Sequence, residues 1–76
     1  MNLERIILTN LARVKPRLMA VGTLWSEVRL DDETATYTAF KAALLALEEK
    51  GQAVVIPGED RDKAKITQAG EARLAE

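Results

Sequence analysis

The run ATYTAFKAALLALEEKG, residues 35–51, constrains this chain most. Tyr37, Phe40, Leu44 and Leu47 recur at i, i+3, i+7 and i+10 and lie along one stripe of a helix. The alanines favour the helix, and Gly51 is its expected terminator. A helix cannot bury its own stripe, so other elements must cover it. The opposite face, with Thr38, Lys41, Ala42 and Leu45, is then turned outward. With only 76 residues to supply the cover, the chain is expected to form a single domain over 1–76 that buries roughly 60–65% of its unfolded surface.

The covering elements are legible on either side. Leu3, Ile6, Ile7, Leu11 and Val14 predict a first helix over 3–14, with Asn2 as N-cap. Pro16 ends it, and KPRLMAVG reads as a connection or a short edge strand. Gly22 and Thr23 mark a break and a cap before a second helix carrying Leu24, Trp25, Val28 and Leu30, with Trp25 expected as a core or domain-edge anchor. DDET follows as a loop. After Gly51, QAVVI reads as a strand, PGEDRD as a turn and KAKIT as a second strand, with Ala64 and Ile66 on one face and Lys63, Lys65 and Thr67 on the other. The tail is helical in propensity apart from Gly70, and Glu71 and Arg73 read as plain surface residues.

Several function classes are disfavoured by composition. The chain has no cysteine and no histidine, which removes thiolate chemistry, the usual general base and the commonest zinc ligand. Asp31, Asp32 and Glu33 are consecutive and do not converge on one point, and there is no phosphate-binding glycine loop. Neither enzymatic activity, nor a metal, nor a cofactor is expected. Residues 1–10 hold Glu4 and Arg5 and no long apolar run, so the expectation is no signal peptide, no membrane partner and a cytoplasmic location.

The formal net charge is −1, but its distribution is uneven. Residues 1–30 carry net +3, residues 31–60 net −5 and residues 61–76 net +1. Any cationic face is therefore local.

Two stretches resemble a known family. FKAALLALEEKGQAVV is similar to the end of a winged-helix recognition helix running into its wing, through Phe40, Ala43, Leu44, Leu47, Glu48, Gly51 and the β-run from Ala53 to Ile56. KITQAGEARL resembles the second wing strand and the ending found in many bacterial and phage domains of that family, through Ile66, Thr67, Gly70 and Leu74. The resemblance implies an α+β winged helix, with a three-helix core, a β-hairpin wing over 53–67 and a short C-terminal helix. It also implies double-stranded DNA as partner and transcription regulation as function, with the helix over about 35–50 in the major groove.

Site residues then follow residue by residue. Thr36, Thr38, Lys41, Ala42 and Leu45 would face the groove. Arg13, Lys15 and Arg17 after the first helix, and Arg61, Lys63 and Lys65 in the wing, would hold phosphates. Leu8 and Ala12 lie off the main stripe of the first helix and suggest a two-fold dimer contact. Strong DNA readers of this family commonly place longer polar side chains where this chain has Ala42 and Leu45. The alternative is a winged-helix module for protein–protein contact without DNA binding, using Ala42, Leu45 or the first-helix patch. The direction of Lys63 and Lys65 discriminates between the two: a wing whose lysines point away from the third helix favours the protein module.

Overall fold

The computed structural model describes residues 2–76. Its elements run α1 (Leu3–Val14), β1 (Met19–Ala20), α2 (Val21–Asp31), α3 (Tyr37–Glu49), β2 (Ala53–Ile56), β3 (Lys63–Ile66) and α4 (Gln68–Leu74). The fold is α+β, with four helices and an antiparallel sheet in the order β1-β3-β2. That order of elements is compatible with a winged-helix-like arrangement. No helix among the described residues is long and apolar enough to cross a membrane.

Local chemistry sets most boundaries. The Asn2 side chain accepts from the Glu4 and Arg5 amides and starts α1. Thr36 caps α3 by accepting from the Ala39 amide at 3.1 Å, so α3 begins two residues later than the Ala35 expected from propensity. At the other end Gly51 takes φ +73°, the Gln52 amide donates to the Leu47 carbonyl and the Gly51 amide to that of Glu48. This pair of bonds closes the helix on a left-handed residue that glycine adopts without strain.

The second helix begins earlier than its sequence suggests. Gly22 and Thr23 lie inside the first turn of α2, and Ala20 at the N-cap offers no side-chain acceptor. The Val21 amide instead donates to the Asp62 carbonyl at 2.9 Å. A carbonyl 41 positions away in sequence does the work of a cap, so the helix needs no local signal.

One core joins all the layers. Ile7, Leu8 and Leu11 of α1, Leu24 and Val28 of α2, and Phe40 and Leu47 of α3 are completely or almost completely buried, and Ala53, Ala64 and Ile66 close it from the sheet. Tyr37 departs from the expected stripe. It is 52% exposed and lies at the rim, edge-on to Trp25 with ring centroids 5.6 Å apart. Leu8 also departs from expectation: it is fully buried and approached by α4 at Gly70, so it offers no surface for a dimer. Ala12, only half-buried, packs against the same core.

Glu71 and Arg73 are not plain surface residues. Glu71 pairs with Lys15, and Arg73 donates to Glu4 at 2.6 Å and to Gln52 Oε1 at 2.8 Å. Arg5 donates to the Arg73 and Leu74 carbonyls, and Lys50 donates to the same Glu4 oxygen at 2.8 Å. These bonds fasten α4 to α1 and to the corner between α3 and β2. Thr67 belongs to this corner rather than to the strand face of the lysines. Its hydroxyl donates to the Gly51 carbonyl and accepts from the Gly70 amide, capping α4.

The bonds from Lys50, and then Arg73, hold the Glu4 carboxyl below the usual carboxylate range. A carboxyl with a lower pKa in the folded chain stabilises the fold above its unfolded pKa and loses that contribution as pH falls through the folded value. Glu4→Gln is expected to cost about 1 kcal/mol at neutral pH, the modest worth of a partly exposed ion pair with good hydrogen bonds. Thermal melts from pH 7 to about pH 3 should show the wild-type advantage shrinking below roughly pH 4, near the ordinary glutamate pKa. An advantage that persists at pH 3 would rule out this role for Glu4.

Candidate interaction surface

The sheet has two faces of different chemistry, fixed by register. Ala53 pairs with Ile66 and Val55 with Ala64, whereas Val54 pairs with Lys65 and Ile56 with Lys63. Directly opposed residues share a face, and successive residues alternate. Ala53, Ala64 and Ile66 are buried against the helices. Val54, Ile56, Lys63 and Lys65 therefore occupy the outer face, and all four are exposed. Met19 pairs with Ala64 on the inner side, so alternation puts the exposed Leu18 on the outer face as well.

The inner side of the hairpin meets α3. Lys41, Ala42, Leu44, Leu45 and Glu48 of α3 line a groove of about 390 Å³ with Val55 of β2 and Asp62 from the turn. Leu45 is 54% exposed at its mouth. The ionisable side chains along it are one lysine and two carboxylates. The outward residues expected from the sequence, Thr38, Lys41, Ala42 and Leu45, are all exposed together on α3. The Thr36 oxygen is occupied as a helix cap.

The expected basic residues do not converge on this groove. Lys63 and Lys65 lie on the opposite face of the sheet from α3. Arg13 donates to Asn10 Oδ1 at 3.2 Å and lines a recess with Arg5, Thr9 and Asp31 on the side where α1 meets α2. Lys15, paired with Glu71, and Arg17 line one shallow depression with Pro16, Lys65 and Ile66. Arg61 sits at the start of α2, with Ala20, Gly22, Thr23 and Ser26. The turn after α1 thus parts Arg13 from Lys15 and Arg17, which stay together beside Lys65.

Three features were missed from sequence. Glu48 and Asp62 set the charge of the groove, and Val54 and Ile56 make the outer sheet face partly apolar. Alternation along β2 carried the last signal, but which of its two faces is inward depends on pairing with β3. Asn10 was the third omission. It is almost completely buried, and its amide donates to the Ile6 carbonyl and to Asp31 Oδ2, both at 2.9 Å. That use of Asp31 separates it from its neighbours. The Thr34 hydroxyl and then the Thr34 amide hold the Asp32 carboxyl below its ordinary pKa. Among the described residues no three His, Cys, Asp or Glu side chains come together as a metal site.

Compared with known protein families, curated proteins and solved structures, the chain matches none.

Proposed function

We propose that this chain is a winged-helix domain that serves as a protein-interaction module, with the groove between α3 and β2 as its contact surface. The observation that carries this reading is the separation of charge: Lys63 and Lys65 lie on the sheet face away from α3, while the groove beside α3 presents Ala42, Leu45 and Val55 between Lys41, Glu48 and Asp62. A duplex is bound first through its phosphates, which require several cations converging on the surface that meets the groove. One lysine against two carboxylates does the reverse. Apolar side chains bounded by charge suit a protein surface, where a few anchors in a pocket supply most of the affinity.

DNA binding is the second reading. It is favoured by the common exposure of Thr38, Lys41, Ala42 and Leu45 along one face of α3, where small apolar groups could meet thymine methyls. Titration of a fluorescent duplex from about 50 to about 200 mM salt separates the two. The module reading expects no binding even at the lowest salt. Duplex binding that falls linearly in log salt, and weakens at least threefold with Lys41→Ala, would overturn it in favour of the second.

A further inference from the structure

We propose that the occupant of the α3 groove is the outer sheet face of a second copy of this chain, so that copies associate head to tail. The inference rests on the protein-module reading and names its partner.

The two surfaces are complementary in charge and in apolar content. The outer sheet face presents Leu18, Val54 and Ile56, each 37–42% exposed, around Lys63 and Lys65, with Arg17 at the rim beside Lys65. Glu71 at the same rim is already paired with Lys15, so three cations remain. The groove presents Ala42, Leu45 and Val55 with Glu48 and Asp62 against the single Lys41. Aliphatic groups on one surface meet aliphatic groups on the other, and the excess cations of one meet the excess carboxylates of the other.

Like-with-like pairing is disfavoured on both sides. A two-fold dimer through the sheet faces would set Lys63 and Lys65 against their own copies, and one through the grooves would oppose the carboxylates. Nor can the two surfaces meet within one molecule. Strand β2 sends Val55 to the groove and Val54 and Ile56 to the outer face, so the surfaces lie on opposite sides of one hairpin. A second copy docked on either leaves one surface of each kind free, and association continues into a ring or an open chain.

Size sets the strength. A stable interface takes about 800 Å² from each partner, and a copy engaged on both sides would give up about a third of its 4837 Å². These small faces point to weak association, sensitive to salt because charge supplies the complementarity.

Sedimentation equilibrium of the full chain tests this over a hundredfold range of concentration. At low salt the average mass is expected to rise with concentration from 8.4 kDa to at least twice that value, and to fall back at high salt. The double variant Lys63→Ala, Lys65→Ala keeps its groove but loses its cationic face, while Leu45→Arg keeps the sheet face and makes the groove basic. Each alone should stay monomeric, and an equimolar mixture should form a dimer and stop there. Both variants alter exposed side chains, and unchanged thermal melts confirm that they fold. A wild-type chain that stays monomeric at low salt, self-association untouched by either variant, or a mixture that remains monomeric overturns the head-to-tail assembly. Loss of the module reading would show instead as salt-dependent binding of duplex DNA, a separate readout.

Discussion

Gly70→Ala is expected to lower stability by about 2–3 kcal/mol, the cost of forcing a methyl group into a space without room for it. A Cβ at position 70 would collide with the Gln52 carbonyl oxygen, and would lie 2.7 Å from Ile66 Cγ1 and 3.1 Å from Leu8 Cδ2. The carbonyl cannot simply retreat, since it accepts from the Thr67 amide at 3.1 Å and sits one residue past the closed end of α3. Glycine is needed here for close approach of backbone to backbone. A chain of this size has roughly 4–11 kcal/mol of total stability, so the melting temperature should fall by about 10–20 °C. Gly22→Ala is the matched control. Nothing lies within 4 Å of a Cβ there, and the position is in the first turn of α2, so alanine should raise stability by about 0.5 kcal/mol. Equal melts for wild type and Gly70→Ala would mean that α4 is not seated against Gln52 and Leu8.

The resemblance that singled out Gly70 and Thr67 located this corner without explaining it. Periodicity gave α1 and the body of α3 because their buried residues, Ile6, Ile7, Leu11, Phe40, Leu44 and Leu47, repeat at helical spacing. It failed wherever a distant part of the chain decides the outcome. The start of α2 depends on the Asp62 carbonyl, the burial of Leu8 on α4, and the pairing of Glu71 and Arg73 on where α1 lies. The candidate surface divides in the same way. Exposure of Lys41, Ala42 and Leu45 follows from the helical period alone, and the shared face of Lys63 and Lys65 follows from strand alternation. That this face is turned away from α3 depends on the register of β3 against β2 and β1, which no local pattern encodes.

Removing the ring of Phe40 should cost about 3–5 kcal/mol, the range for truncating a buried phenylalanine to alanine. Phe40 is fully buried, its ring centroid 5.2 Å from that of Trp25 and 6.0 Å from that of Tyr37. The Arg29 guanidinium lies over Trp25 in turn, 5.8 Å from its ring centroid. Phe40→Ala therefore opens a void and deprives Trp25 of the neighbour that shields it. Against roughly 4–11 kcal/mol of total stability, the loss should leave the chain partly unfolded near 37 °C. Trp25 is the sole tryptophan, and its emission should shift to the red as water reaches the indole, while Phe40→Leu, which fills most of the space, should show a smaller shift. An unchanged emission maximum with Phe40→Ala would mean that the aromatic cluster does not anchor α3. The anchor also bears on the interaction surface. Phe40 lies one position before Lys41 and two before Ala42, and the grip on its ring fixes the rotation of α3 that brings Leu45 and Glu48 to face Val55 and Asp62. The outer sheet face does not depend on that grip, because β2 and β3 seat themselves through Ala53, Ala64 and Ile66. At a temperature where Phe40→Leu remains folded, it should weaken the groove as a receptor and leave Lys63 and Lys65 competent as the inserting face.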